Sequence, residues 1–144
     1  SYENIRPRLI CEKYLENKEY GELLDYKFYC FNGKSEVMFV CTGRYSAQGV
    51  RYTAYDMDWQ KIVVTKGKPA GEIEVEKPKN FKIMKETAEM LASDFPFLRV
   101  DFYEVEDKVV FGELTFYPDC GLQPFKPDRY NYIWGDLFVL PDKL

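Results

Sequence analysis

Runs of aromatic and β-branched residues separated by turn residues dominate the first half of the chain and predict β-strands. Four such runs are predicted as strands: Asp25–Phe31, residues 36–42, Arg51–Tyr55 and residues 61–65. Asn32-Gly33 joins the first two, and this pair suits a type I′ hairpin turn because both residues readily adopt a positive φ. The first half is therefore predicted to be mostly antiparallel sheet, with the linker-like residues 66–71 as a surface loop.

One segment in the middle of the chain has the spacing of a helix. Its apolar residues recur three and four positions apart: Phe81, Met84, Ala88, Leu91 and Phe95. The pattern predicts a helix that begins after Asn80, whose side chain caps the first free N–H groups, and that ends before Pro96. The apolar stripe is interpreted as a face packed on the sheet rather than as a ligand-binding surface.

Two further strands, residues 97–103 and residues 109–116, flank a polar turn. Side chains alternate between the faces of a strand, so Arg99 and Asp101 share one face. The register expected for this hairpin joins three pairs: Tyr103 with Val109, Asp101 with Phe111, and Arg99 with Glu113. Thr115 then falls on the same side. The sequence predicts an α+β fold, an antiparallel β-sheet packed against one main helix, with residues 1–144 as a single domain.

Histidine is absent from the chain, so any acid, base or metal ligand is expected to be a carboxylate. This excludes histidine-based zinc sites and Ser–His–Asp hydrolysis. Two carboxylates and a guanidinium in one hairpin suit Mg²⁺, which takes oxygen ligands, and a phosphate held by the arginine. The same pattern is also typical of a solvated strand face with a cross-strand Arg99–Glu113 ion pair, and the residues alone leave both interpretations open.

The charge pattern argues against nucleic acid as a partner. Lys and Arg number 20 against 24 Asp and Glu, and the basic residues are scattered among the acidic ones. No run of about 18 apolar residues predicts a membrane span, and the first residues lack the apolar stretch of a signal peptide. A cytoplasmic location is the expectation. The four cysteines show no metal-ligand spacing and are expected to be reduced thiols.

The second hairpin resembles the end of the ATP-grasp fold. Arg99-Val100-Asp101-Phe102, followed by Gly112-Glu113-Leu114-Thr115 and the loop Pro118-Asp119-Cys120-Gly121, is similar to the Arg-x-Asp strand, Glu-x-Asn strand and Pro-Gly loop of that superfamily. In these enzymes, typified by D-alanine–D-alanine ligase, the acids hold Mg²⁺–ATP and the arginine contacts phosphate. The resemblance implies Asp101, Glu113 and Thr115 as metal ligands and Arg99 as the catalytic phosphate contact. Thr115, which stands where the ligases have Asn, is a weaker oxygen ligand.

Two upstream segments are similar to the nucleotide pocket of the same enzymes. Leu9-Ile10-Cys11-Glu12-Lys13-Tyr14-Leu15 resembles the segment that lines the adenine pocket, which implies backbone contacts at Lys13 and Leu15. Asp25 stands where the family often has a Glu that accepts hydrogen bonds from the ribose hydroxyls. Lys27 lies on the same strand face and is expected either to reach phosphate or to be an exposed strand lysine.

The chain resembles in particular the TupA-like ATP-grasp proteins of bacterial cell-wall and capsular polysaccharide clusters, sometimes described as glycosyltransferases. The resemblance covers residues 9–140 and includes Tyr55-Asp56-Met57-Asp58-Trp59. Lys61 is similar, with an offset of one residue, to the lysine of a Tyr-Asp-x-x-x-Lys segment, which implies a nucleotide contact.

The resemblance implies ATP and Mg²⁺ as cofactors and a carboxy-terminal ATP-grasp lobe as the fold. The implied reaction is ATP-dependent activation of a carboxylate as an acyl phosphate, followed by attack of an amine or other nucleophile. The partners are then a nucleotide and a small-molecule or saccharide acceptor, which residues 118–122 are expected to contact.

Two other function classes stay open. A noncatalytic sugar- or protein-binding module would use the aromatic residues near the end of the chain, which are equally expected to cover a sheet: Tyr117, Phe125, Tyr130, Tyr132 and Trp134. A glycosyltransferase would use a metal-binding Asp-x-Asp pair, and Asp56-Met57-Asp58 has that spacing.

The ATP-grasp nucleotide site lies between two lobes, and the resemblance implies that an amino-terminal lobe of a longer protein supplies the opposite wall. Residues 1–144 alone are therefore expected to bind Mg–ATP weakly and to be catalytically inactive, because the adenine and phosphates lose contacts. Calorimetric titration with Mg–ATP measures the affinity of residues 1–144 and that of the product of the complete reading frame. Low-micromolar affinity of residues 1–144 would contradict this expectation.

Overall fold

A computed structural model describes residues 4–17 and 20–140 of the chain. In those ranges the elements are β1 (Asp25–Phe31), β2 (Lys34–Thr42), β3 (Arg51–Tyr55), β4 (Lys61–Ile62), α1 (Phe81–Ala92), β5 (Phe97–Val105), β6 (Lys108–Thr115), a 3₁₀ turn (Pro118–Gly121) and α2 (Arg129–Gly135). The strands form one antiparallel sheet in the order β4-β3-β2-β1-β5-β6. The predicted α+β architecture is confirmed, with the short helix α2 added.

The first hairpin forms as predicted, with Asn32 and Gly33 both at positive φ, 48° and 79°. β4 is shorter than predicted and pairs only two residues with β3. Lys66, predicted to lie in a surface loop, is instead 5% exposed. Residues 67–70 are exposed as predicted, but the prediction was wrong for Lys66, because the adjacent Thr65 pairs with Lys126 in an isolated bridge.

Helix α1 packs on one face of the sheet and forms the larger apolar core. Phe28 lies at the centre of this core, with its ring centroid 5.7 Å from that of Phe81 and 5.9 Å from that of Phe102. Met84 and Ala88 of the helix are fully buried against the sheet. The helical periodicity thus buries one face of α1, as the sequence predicted. The prediction was wrong at its end, because α1 stops at Ala92 and Phe95 lies exposed beyond it.

The amino terminus of α1 is stabilised differently from the prediction. Asn80 precedes the helix but makes no side-chain cap hydrogen bond. Instead the Glu104 carboxylate of β5 accepts hydrogen bonds from the backbone N–H of Asn80 and from its side-chain amide, both at 2.8 Å. An acid from the adjacent strand therefore replaces the predicted local cap.

The face of the sheet opposite α1, here called the distal face, is covered at one end by the residues after β6. Phe39 of the sheet contacts Phe125 and Trp134, with ring centroids 6.1 and 6.2 Å away. Phe125, Tyr130 and Trp134 belong to this second core, so these aromatic residues cover the sheet. Tyr117 and Tyr132 are exposed.

Strands β5 and β6 pair through a β-bulge. Opposite the single residue Asp101, β6 contributes two residues, Gly112 and Glu113. The turn consists of Glu106 and Asp107, both at positive φ. Because the bulge adds a residue to one strand, the side-chain alternation of β6 changes faces within it.

The turn and the bulge together make the predicted register wrong. Tyr103 pairs with Val110 rather than with Val109, and Arg99 pairs with Thr115 rather than with Glu113. The two-residue turn shifts the pairing by one residue relative to the prediction, which places Tyr103 opposite Val110. The bulge shifts the pairing by one further residue, which places Arg99 opposite Thr115.

Among residues 4–17 and 20–140, no helix has the length and apolar character that crossing a bilayer requires. Each of the four cysteines is a free thiol, as expected. Cys30 and Cys41 are buried in the sheet, whereas Cys11 and Cys120 are exposed.

We predict that Gly112→Val destabilises the fold by about 1–3 kcal/mol. A Cβ at this position would lie 3.0 Å from the Asp101 carbonyl oxygen and 3.2 Å from the Tyr103 ring, so the bulge has no room for a side chain. Urea unfolding measures the change. Gly135→Ala is the control because a Cβ at that position would meet no heavy atom within 4 Å. Equal stability of the two variants would refute the packing explanation.

Candidate functional site

The pairing of β1 with β5 brings polar residues from distant parts of the sequence onto the distal face. Lys27 lies directly opposite Asp101, and Tyr29 lies opposite Arg99. Asp25, two residues before Lys27, points to the same face by strand alternation. The residues predicted at the nucleotide and metal sites in these two strands therefore lie side by side.

Asp101 is at the centre of this arrangement and is 1% exposed. Arg99 donates to its carboxylate twice, from Nε to Oδ1 and from Nη2 to Oδ2, each at 2.7 Å. Lys27 Nζ donates to Oδ2 of Asp101 and lies 2.8 Å from Oδ2 of Asp25. Lys27 is thus a buried lysine between two carboxylates, not the exposed strand lysine that was the alternative.

Glu113 joins the arrangement from β6 because of the bulge. Nη2 of Arg99 donates to Oε1 of Glu113, and the Thr115 hydroxyl donates to the same oxygen at 3.0 Å. Glu113 is 61% exposed. One nitrogen of Arg99 therefore bridges a buried carboxylate and an exposed one.

Arg44, which the sequence analysis missed, contacts the buried end of this arrangement. Its Nη2 lies 2.7 Å from Oδ2 of Asp25. The Glu22 carboxylate holds the loop in place by accepting the backbone N–H of Gly43 and Arg44. Gly43, directly after a predicted strand, indicated a turn at this point of the chain. No local pattern indicated that the side chain of the next residue, Arg44, would reach Asp25.

The ionic cluster is defined as three acids and three bases: Asp25, Asp101, Glu113, Lys27, Arg44 and Arg99.

Burial raises the pKa of Asp25 above its ordinary value, and attraction to Lys27 offsets only part of that effect. Burial lowers the pKa of Lys27, but the Asp25 and Asp101 carboxylates outweigh it, and the net pKa is raised. The Lys27 ammonium is therefore charged at neutral pH.

Other predicted site residues lie outside the ionic cluster. Lys13 is exposed and Leu15 half-buried in a segment without regular secondary structure. Lys61 is exposed on the edge strand β4, roughly 14 Å from β1 at ordinary strand spacing. It pairs with Tyr55, whose side chain packs on the α1 side of the sheet. Lys61 thus faces away from the cluster.

Asp56-Met57-Asp58 forms a tight turn after β3. One carboxylate oxygen of Asp56 accepts the backbone N–H of Asp58 at 3.0 Å and that of Gln60 at 2.7 Å. The Asp-x-Asp spacing therefore has a structural role in this turn.

A second feature that the sequence analysis missed is a cavity of about 670 Å³ at the aromatic end of the distal face. Tyr29 and Lys66 line it, and so does the loop after β6 that was expected to contact the acceptor. Because Tyr29 is the cross-strand neighbour of Arg99, the cavity adjoins the ionic cluster. We call it the aromatic cavity.

The donor set of the cluster fits Mg²⁺ in chemistry, since carboxylate and hydroxyl oxygens are its preferred protein ligands. Oδ1 of Asp25 is buried and has no hydrogen-bond partner among the described residues. Within residues 4–17 and 20–140, however, no three Asp, Glu, Cys or His side chains converge closely enough to hold a metal by themselves. Arg99 occupies the space between Asp101 and Glu113, so a cation there requires the guanidinium to move.

Comparison with protein families gives one finding. The family model described as TupA-like ATPgrasp matches residues 1–139. Comparisons with curated proteins and with solved structures give no match.

We predict that Lys27→Met destabilises the fold by about 3–5 kcal/mol at pH 7, because it leaves buried carboxylates without their ammonium partner. Loss of this charge is expected to raise the pKa of Asp25 further. An acid with a raised folded-state pKa binds protons more tightly when the protein is folded. The folded state therefore loses stability as the pH rises from the unfolded-state pKa to the folded-state pKa of that acid. The destabilisation is therefore expected to shrink between pH 7 and pH 4.5.

Urea unfolding at both pH values measures this difference, with Lys108→Met, an exposed strand lysine, as the matched control. A Lys27→Met variant as stable as Lys108→Met at pH 7 would show that the contacts of the Lys27 ammonium with Asp25 and Asp101 do not stabilise the fold.

Proposed function

The chain belongs to the TupA-like ATP-grasp family, and from this membership we propose that its ionic cluster binds the phosphates of Mg²⁺–ATP in a carboxylate-ligating enzyme. The observation that carries the proposal is the shared guanidinium: one nitrogen of Arg99 contacts both Asp101 and Glu113. Two carboxylates and a guanidinium thus meet on one sheet face, which supports this proposal. The proposed role is in cell-wall or capsular polysaccharide biosynthesis.

Asp101 and Glu113, with the Thr115 hydroxyl, are the residues that would hold Mg²⁺. Bound there, the metal neutralises charge on the transferring phosphoryl group. Arg99 then directs its donors to phosphate oxygens, since a guanidinium matches phosphate as well as it matches carboxylate. The reaction needs no histidine, in agreement with the composition of the chain.

The buried end of the cluster has a different proposed role. Lys27 and Arg44 hold the Asp25 carboxylate through Oδ2, which leaves Oδ1 as an acceptor for a ribose hydroxyl. Backbone groups of Lys13 and Leu15 remain the proposed adenine contacts. The nucleotide contact of Lys61 remains a prediction that rests on the family pattern alone.

The proposed chemistry has two steps. A carboxylate oxygen of the substrate attacks the γ-phosphorus of ATP, which forms an acyl phosphate and releases ADP. An amine or another nucleophile then attacks the acyl carbon and displaces inorganic phosphate. Arg99 stabilises the negative charge on the phosphoryl oxygens in both steps.

A noncatalytic sugar-binding module is the second candidate, favoured by the exposed rings of Tyr117 and Tyr132, which are 82% and 72% exposed. Such rings are able to stack on saccharide faces. This function does not require Glu113, so a substitution there separates the two candidates.

We predict that Glu113→Gln, made in the product of the complete reading frame, weakens Mg²⁺-dependent ATP binding at least about tenfold. The substitution removes one charge-assisted contact. Calorimetry with ATP in the presence of Mg²⁺ or of EDTA measures the metal-dependent part of the affinity. Asp107→Asn is the control, since Asp107 is an exposed acid paired with Lys79 at the far end of the same hairpin.

Unchanged metal-dependent affinity in Glu113→Gln would overturn the assignment of this residue as a ligand. Retention of saccharide binding together with no ATP binding in the unsubstituted protein would favour the sugar-binding module.

A further inference from the structure

The aromatic cavity has the size and position of a small-molecule site. Its volume of about 670 Å³ is in the range of ligand pockets. Tyr29 and Phe97 of the sheet form its floor, and Phe125 and Trp134 of the following segment form a wall. The two ring planes of each pair lie at 65° and 81° to one another, so a flat aromatic group placed among them is able to stack on one ring and contact the next edge-on.

Polar groups in the cavity are few, and one of them already has its partners. The Asn131 amide accepts the backbone N–H of Phe125 at 2.8 Å and donates to its carbonyl at 3.0 Å. This pairing makes Asn131 a structural residue of the wall. Among the lining residues that the structure describes, Lys66 is the cation, and it is 5% exposed.

One carboxylate, one hydroxyl and two aromatic rings surround the buried ammonium of Lys66. Nζ donates to the Tyr29 hydroxyl at 3.0 Å and lies 2.9 Å from Oδ2 of Asp119. It also lies 5.0 and 5.3 Å from the ring centroids of Tyr29 and Phe125. Asp119 is 53% exposed, so the partner of this buried cation is at the solvent edge and is exchangeable.

The loop that presents Asp119 is strained. Asp119, Cys120 and Gly121 all have positive φ, at 51°, 56° and 71°. Side chains disfavour this conformation at the first two positions, and such strain persists only where surrounding contacts impose it. Backbone hydrogen bonds from Cys120 N–H to the Tyr117 carbonyl and from Leu122 N–H to the Asp119 carbonyl hold the loop, and its Asp119 carboxylate lies beside Lys66.

We propose that the aromatic cavity binds a monocarboxylate with a flat apolar body, whose carboxylate replaces Asp119 on Lys66. A single negative charge matches the single ammonium, whereas a dianionic phosphate would leave excess charge in an apolar enclosure. The rings of Phe97, Phe125 and Trp134 take the apolar body. As the substrate pocket of the ligase this assignment rests on the proposed function, but the binding event itself requires neither ATP nor Mg²⁺.

The test uses 2-naphthoate and its neutral amide, 2-naphthamide, titrated into residues 1–144 without nucleotide or metal. Calorimetry is expected to show at least tenfold tighter binding of the acid, because only the acid pairs with Lys66. The two tryptophans locate the site by NMR. The indole N–H signal of Trp134 is expected to shift, whereas that of Trp59, which stacks on Tyr55 under α1, is not.

Three variants sharpen the result. Lys66→Met is expected to remove the preference for the acid and leave amide binding intact, and Asp119→Asn is expected to tighten acid binding by removing the competing carboxylate. Lys82→Met, an exposed lysine of α1 on the other face of the sheet, is expected to keep the wild-type ratio. If Lys66→Met does not fold, the comparison of acid and amide binding to the unsubstituted chain still tests whether the cavity binds a carboxylate.

Equal affinity for acid and amide, no binding of either, or a shift confined to Trp59 would each overturn the proposal. Because the titration contains no ATP, it fails or succeeds independently of the Glu113→Gln experiment. Loss of the naphthoate site leaves the ATP assignment in place, and loss of the ATP assignment leaves a carboxylate-binding cavity.

Discussion

The antiparallel pairing of β1 with β5 places the Lys27 ammonium between two buried carboxylates, those of Asp25 and Asp101. Each charge would be strongly unfavourable alone in this low-dielectric surrounding, and each is tolerable only because its partners are present. This mutual dependence constrains the centre of the sheet. The strands cannot change register without separating the charges, so the pairing and the polar site are specified together.

The same interaction explains how the buried members of the ionic cluster differ from the exposed ones. Asp101 and Lys27 are held by fixed partners on neighbouring strands, whereas Glu113 and Arg44 reach solvent. Arg99 joins the two environments, because it contacts the buried acid and the exposed one with the same nitrogen. A ligand approaching from solvent therefore meets groups that exchange partners easily, supported by groups that do not.

The two faces of the sheet carry different kinds of side chain. On one face α1 covers an apolar core that contains Phe28, Phe102 and Met84. The distal face carries the ionic cluster and, next to it, the aromatic cavity, joined at the Tyr29–Arg99 pair. Charged and apolar side chains thus lie next to each other on one surface, as the proposed binding of a nucleotide and an organic acid requires.

The sequence by itself determined the local elements, because each depends on residues close together in the chain. Asn32-Gly33 specified the first hairpin, the three-and-four spacing specified α1, and strand alternation put Arg99 and Asp101 on one face. Only the tertiary structure decided that Lys27 meets Asp101, 74 residues away, and that the predicted contact of Glu113 with Arg99 forms through a bulge at Gly112 in a different register. It also decided that Lys66 is buried and that Arg44 reaches Asp25. These contacts depend on strand register and on the cost of burying charge across the whole sheet, which no local pattern of residues contains.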